Sequence, residues 1–239
     1  MSNFQRNPMN YQWLLFDADG TLFDYDQAEA AALKKAFESF GGDFQKAYAQ
    51  SYRKINALIW HEFERGEITQ VDLRTQRFAR LFEAIDVDFD PQDFSQNYLK
   101  FLGEGAYLMN GAQEILEILA RKVELMLITN GLKDVQRARL ARSTIQDYFK
   151  DVVISEEVGA AKPDERIFEA AFQKMGNPNK KDVLIIGDSL TSDMRGGNLF
   201  GIDTCWFNPE QKVRDQDVQI RYEITNLIEI LPIVGIDYL

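Results

Sequence analysis

Five short apolar runs, each closed by a small polar residue and separated by stretches with helical spacing, constrain this chain more than any other feature. They are Trp13 to Phe16, Glu124 to Ile128, Val152 to Ile154, Val183 to Ile186 and Thr204 to Phe207, and Asp, Thr, Ser or Asn follows closely on each. Runs this short suit strands buried on both faces, as in a parallel sheet. The first, Trp-Leu-Leu-Phe, has no β-branched residue, so its context rather than its propensity makes it a strand. Between the later runs, Asn110-Gly111 can cap a helix to about Lys122 with Ile115, Leu116 and Leu119 on its apolar side. Pro163 stands at or just before a helix through Met175 that Gly176 ends. Repeated strand–helix order predicts an α/β fold with a doubly wound parallel sheet.

The stretch from Tyr25 to Tyr107 breaks that rhythm, because it holds no convincing strand. Gln27 to Phe40 reads as a helix stopped by Gly41-Gly42. Tyr48, Tyr52, Ile55, Ile59 and Phe63 recur at helical spacing and form one stripe that ends at Gly66. Thr69 with Asp72 forms a capping box before Phe78, Leu81, Phe82 and Ile85, and Asp90-Pro91 marks a fourth helix start. An all-helical domain, residues 25–107, is therefore expected as an insertion into an α/β core made of residues 1–24 and 108–239.

Composition removes several function classes. A chain of 239 residues can bury about 70% of its unfolded surface. The net charge of −11 argues against a nucleic-acid binder, which would carry a basic face. One cysteine, Cys205, permits no internal disulfide and points to a reducing compartment; in its apolar run it reads as a buried, inert thiol. One histidine, His61, leaves no His/Cys zinc site, and no nucleophile elbow accompanies it; it reads as a polar helix residue. The N-terminal MSNFQRNPMNYQ has neither the basic nor the apolar part of a signal peptide, and no run approaches the ~20 residues of a membrane span. A cytoplasmic protein with no membrane partner is expected.

Four motifs sit at the carboxyl ends of four predicted strands, where open α/β sheets bind ligands. Asp17-Ala18-Asp19-Gly20-Thr21 places two carboxylates two residues apart on a chain that Gly20 allows to turn. One can act as nucleophile and the other as proton donor if their environments separate their pKa values; otherwise this is a loop with two solvated aspartates. Thr129-Asn130-Gly131 offers a hydroxyl and backbone N–H groups to a phosphate oxygen, or is an ordinary turn. Lys162 can neutralise a phosphate and a nearby carboxylate, although most lysines are solvated. Gly187-Asp188-Ser189, with Asp193 five residues after Asp188, offers oxygens suited to Mg²⁺. Asp193 has an alternative role as the cap of the next helix.

In order and position, these motifs resemble those of the haloacid dehalogenase superfamily, over essentially the whole chain. DADGT resembles the first motif, Thr129 the second, Lys162 the third and GDSLTSD the fourth, and the helical insertion resembles a C1-type cap. The resemblance implies that Asp17 attacks phosphorus and that Asp19 protonates the leaving oxygen and then activates water. It implies phosphate contacts from Thr129, Asn130 and Lys162. It also implies Mg²⁺ held by Asp17, the Asp19 backbone carbonyl and Asp188, with Asp193 acting through water or holding Lys162. A finer resemblance, carried by FERGEIT, LITNG, VISEEVGAAKP, VLIIGDSLTSD and GIDTCWFNP, is to bacterial pyrimidine nucleotide 5′-nucleotidases. The expected activity is Mg²⁺-dependent hydrolysis of a phosphorylated small molecule, a nucleoside monophosphate. The alternatives are a sugar phosphate or phosphoglycolate, then a haloacid dehalogenase, a phosphomutase or a non-catalytic binder. In the insertion, Trp60 is a candidate to stack a base. Arg77 is a candidate for a substrate contact or for a surface salt bridge.

Overall fold

The computed structural model describes residues 11–237, so the N-terminal MSNFQRNPMN, read above for the absence of a signal peptide, lies outside it. The chain divides into two compact units, one built from residues up to 24, 108–133 and from 143 onward, the other from 25–107 with 134–142.

The first unit is α/β. Its strands are β1 (Trp13–Phe16), β2 (Glu124–Thr129), β3 (Asp151–Ile154), β4 (Val183–Gly187), β5 (Asp203–Phe207) and β6 (Tyr222–Ile224). They form one sheet of order β3-β2-β1-β4-β5-β6. Every pairing in it is parallel. This is the doubly wound sheet expected from the sequence. Trp-Leu-Leu-Phe becomes a strand because it lies between β2 and β4, with Leu14 opposite Leu125 on one side and Leu184 on the other. Two neighbours satisfy its backbone, and burial of Leu14, Leu15 and Phe16 outweighs its weak propensity. On one face Leu15, Met126, Ile128 and Ile185 pack with Ile167, Phe168 and Phe172. The last three belong to a helix, Glu165–Lys174. Its N-cap is Asp164, whose carboxylate accepts from the Arg166 N–H, so Pro163 precedes the helix. The helix Ala112–Leu119 starts at Gly111 without a side-chain cap and stops before Lys122. The sequence reading missed β6, a three-residue edge strand with no apolar run to announce it.

The second unit is helical. It comprises α1 (Tyr25–Ser39), α2 (Lys46–Glu64), α3 (Gln70–Ile85), α4 (Pro91–Glu104) and residues 134–142 of the helix Lys133–Arg142. That last segment was expected in the α/β part. It packs here because Gly103 of α4 lets the two helices approach: a Cβ at Gly103 would lie 3.1 Å from that of Ala138. The predicted helix starts have the expected chemistry. Thr69 and Asp72 cap reciprocally, and the Asp90 carboxylate accepts from the Gln92 and Asp93 N–H groups with Pro91 at the first helical position. The core is aromatic, with Phe37, Phe78, Phe82, Phe94 and Tyr98 in edge and tilted contacts of 5.0–6.4 Å.

Inside that core lies a polar cluster. Asn56 Nδ2 donates to Glu29 Oε2 and to the Tyr25 hydroxyl, Arg77 Nη1 donates to Asn56 Oδ1, and Arg53 Nε donates to Glu29 Oε1, all at 3.3 Å. The surface salt bridge weighed for Arg77 is thereby corrected. Its guanidinium is 1% exposed and lies over the Phe78 and Tyr98 rings, so the apolar stem and planar head are both covered. Burial is the largest influence on Glu29 and lifts its carboxyl to about 7, against the pull of Arg53. The fold thus keeps this proton at pH values where the unfolded chain has lost it. Its contribution to stability is full below an unfolded value of 4.5 and is lost as pH rises towards 7. Glu29→Gln is expected to flatten the fall in stability across that window, which amounts to at most about 1.4 kcal/mol per pH unit. Thermal melts of both proteins across that pH range check this, and equal slopes would exclude Glu29 as the source.

Candidate active site

Strand order reverses between β1 and β4, and the crevice beyond such a switch point is where doubly wound sheets take ligands. Asp17 follows β1 and Asp188 follows β4. The Asp17 N–H still donates to the Ile186 carbonyl (2.9 Å), which continues the ladder one step and fixes where its side chain leaves. The chain then turns, with the Ala18 carbonyl accepting from both Leu22 and Phe23 N–H groups. Gly20 makes the turn possible with φ +81°, and it also makes room, since a Cβ there would come 2.5 Å from Asp188 Oδ2. Gly20→Ala is therefore expected to displace Asp188 and to weaken divalent-cation binding about 10–100-fold, as loss of a supporting contact typically does. Calorimetric titration with Mg²⁺ checks it, and unchanged affinity would mean that Asp188 is not a ligand.

Lys162 is the hub. It is 1% exposed, and its ammonium donates to Asp17 Oδ1 at 2.5 Å, Asp193 Oδ1 at 2.7 Å and the Ile128 carbonyl at 2.9 Å. All three of its hydrogens are thus used. The Asn130 carboxamide holds the other end of the residue, accepting from the Lys162 N–H at 2.7 Å and donating to the Lys162 carbonyl at 2.9 Å. Asp193 uses its second oxygen to accept from the Ser189 N–H at 3.1 Å. The helix-cap role considered for Asp193 belongs instead to Ser189, whose hydroxyl accepts from the Ser192 N–H. Gly187 is needed because a Cβ there would run into the Asp193 carboxylate. Thr129 closes β2, is buried, and accepts from the Gly131 N–H at 3.0 Å; its hydroxyl hydrogen can serve an anion.

Carboxylate oxygens of Asp17, Asp188 and Asp193 lie within 4.8 Å of one another. When all three are ionised, three carboxylates against one ammonium leave two negative charges, which a divalent cation would balance. Without such a cation the acids tend to hold protons instead. Burial, with Asp193 and Asp188 nearby, holds the Asp17 carboxyl well above its usual range even though Lys162 pulls it down. Burial and then Asp193 push Asp188 up to about 7. On Lys162, burial acts downward but is outweighed by Asp17 and Asp193, so the ammonium stays charged. An all-oxygen, acid-rich donor set fits Mg²⁺. The Asp19 carboxylate is not in that group; the sequence reading assigned it a backbone carbonyl role.

Trp206 was not foreseen. Its indole N–H donates to the Asp188 carbonyl at 2.9 Å, because β5 places Trp206 opposite Gly187. Only the strand register could have signalled it. Trp60 and Arg77 belong to the helical unit. Trp60 is half-buried with its ring edge-on to Phe63 at 5.8 Å, and Arg77 is enclosed by that unit's own side chains.

Comparison with known proteins agrees with this geometry. A family model described as haloacid dehalogenase-like hydrolase matches residues 11–201. The chain is 36% identical to the HAD-hydrolase YfnB of Bacillus subtilis (strain 168), covering 95% of this chain and 97% of that one. A solved structure of YfnB bound to magnesium superposes with a TM-score of 0.91, covering 95% of this chain and 100% of that one. The chain is 36% identical to the pyrimidine 5′-nucleotidase PynA of Streptococcus pneumoniae (strain R6), over 93% of this chain and 94% of that one. It is 32% identical to the pyrimidine 5′-nucleotidase YjjG of Escherichia coli (strain K12), over 93% and 97%.

Proposed function

Because the chain belongs to the haloacid dehalogenase-like hydrolase family, we propose that it is a Mg²⁺-dependent phosphatase that hydrolyses nucleoside monophosphates, pyrimidine nucleotides foremost. The observation that carries the chemistry is the buried Lys162 ammonium joining Asp17 and Asp193, with Asp188 beside them. Likeness to two pyrimidine 5′-nucleotidases over nearly the whole chain supports the substrate class.

In the first half-reaction an Asp17 oxygen bonds to phosphorus while the bond from phosphorus to the ester oxygen breaks. Asp19 gives its proton to that departing oxygen. In the second half, Asp19 takes a proton from water as the water oxygen attacks phosphorus. The bond from phosphorus to Asp17 then breaks, which returns the carboxylate and releases inorganic phosphate. Lys162 holds Asp17 in one rotamer and lowers the cost of bringing a dianion up to a carboxylate. The Thr129 hydroxyl and the backbone N–H groups after β2 grip the transferring group. Such positioning and charge balance are what phosphoryl transfer requires of a protein. When bound by Asp17, Asp188 and the Asp19 carbonyl, Mg²⁺ supplies further stabilisation of negative charge.

Phosphate release with Mg²⁺ across nucleoside monophosphates, sugar phosphates and phosphoglycolate tests the proposal. Pyrimidine nucleoside monophosphates are expected to give the highest kcat/KM. A preference for sugar phosphates over every nucleotide would retire the nucleotide reading and leave the phosphatase chemistry standing.

A further inference from the structure

We infer that the Asn130 side chain positions Lys162 rather than binding the phosphate. β2 and β3 stay paired as far as Thr129 opposite Ile154. Beyond Ile154 the chain leaves the sheet through one helical turn, Ser155–Val158, and Gly159 in the left-handed region. Lys162 follows with no strand beside it. The Asn130 side chain takes the place of that strand, since one carboxamide accepts from the Lys162 N–H and donates to the Lys162 carbonyl. Asn130 is itself held, because its own carbonyl accepts from the Ser155 hydroxyl at 3.2 Å.

The opposite end of the same lysine is also tied to β2, through the Ile128 carbonyl. Both ends of a long, flexible side chain are therefore referred to one strand terminus, at residues 128 and 130, about 6.6 Å apart along a strand. Lysine otherwise carries large rotamer freedom. With backbone and ammonium both held, the freedom left to the Nζ is narrowed to arrangements that meet Asp17 and Asp193. A carboxamide is suited to this because it presents a donor and an acceptor side by side. An aspartate keeps the acceptor but cannot donate to the Lys162 carbonyl.

The inference rests on phosphoryl transfer at Asp17 but not on the nucleotide preference, so the test uses a generic ester. Hydrolysis of p-nitrophenyl phosphate at saturating Mg²⁺ is measured for the wild type, Asn130→Ala, Lys162→Met and the double variant. A misplacement of about 1 Å at a reacting group costs up to about 100-fold. Asn130→Ala is therefore expected to lower kcat about 10–100-fold while KM and the inhibition constant of inorganic phosphate move less than about threefold. In the Lys162→Met background the same change is expected to alter kcat less than about twofold, because no ammonium remains to be aimed. Asn130→Asp is expected to lose kcat as well, and it keeps the test open if Asn130→Ala folds poorly. Multiplicative losses in the two backgrounds would overturn the inference. So would a raised KM and phosphate inhibition constant at unchanged kcat, which would make Asn130 an anion ligand. If the wild type released no phosphate from any ester, the phosphatase reading would fail by itself. Hydrogen exchange of the Lys162 amide would then decide for the clamp if Asn130→Ala speeds it about tenfold or more, and against it if the rate is unchanged.

Discussion

Asp17→Asn is expected to lower turnover about 10⁴-fold or more, the scale seen when a nucleophile is removed from an otherwise intact site. The substitution preserves shape and the backbone bond to Ile186, so the end of β1 stays in place. It removes the anionic oxygen that must bond to phosphorus. Stability is expected to hold or rise in metal-free protein. Burial is what holds the Asp17 carboxyl above its usual range, so its ionised form is costly in the fold at neutral pH. A neutral amide relieves that cost, and Lys162 retains Asp193 as its counter-ion. Phosphate release and thermal melts in parallel check both halves. Retention of more than a tenth of the wild-type activity would remove Asp17 as nucleophile.

Chelation by EDTA is expected to abolish activity, with Mg²⁺ restoring it. Without a cation the acids either stay ionised, leaving an excess of negative charge that repels a phosphate dianion, or take up protons and cost Asp17 its anionic oxygen. The two remaining acids should behave differently. Both Asp193 oxygens are engaged, by Lys162 and by the Ser189 N–H, whereas Asp188 is half-buried and close to both other carboxylates. Asp188→Ala is therefore expected to raise the Mg²⁺ concentration for half-maximal activity about 100-fold or more. Asp193→Ala should shift it less and lower kcat instead, since it removes one of the three partners that aim the Lys162 ammonium. Mg²⁺ titrations of activity separate the two, and full activity in EDTA would replace the phosphatase reading with metal-independent hydrolysis at Asp17.

The features legible in the sequence are those whose cause is local. Short apolar runs each ending in a small polar residue specify strands buried on both faces and the end that carries chemistry, and this needs only neighbours in the chain. Thr69 with Asp72 and Asp90 with Pro91 announce helix starts because a cap acts within three residues. Gly20 next to Asp19 marks a turn that a side chain would resist.

What only the tertiary structure decided depends on partners far apart in sequence. The Asn130 carboxamide finds its partner 32 residues on, where no spacing rule reaches. Lys162 bonds Asp17 at a separation of 145 residues, and only the packing of β1 beside β2, whose Ile128 carbonyl also holds the ammonium, brings them together. Trp206 reaches the Asp188 carbonyl by strand register, and β6 exists because β5 offers it an edge. Arg77 reads as a surface charge by its chemistry, yet it lies buried because Asn56 of α2 and the Tyr98 ring of α4 enclose it together with its chain neighbour Phe78. The sequence determined which residue types stand at the strand ends, since propensity and patterning act over a few residues. Their charge balance and aim were decided by packing, since electrostatic and hydrogen-bond energies depend on distances that only the folded chain sets.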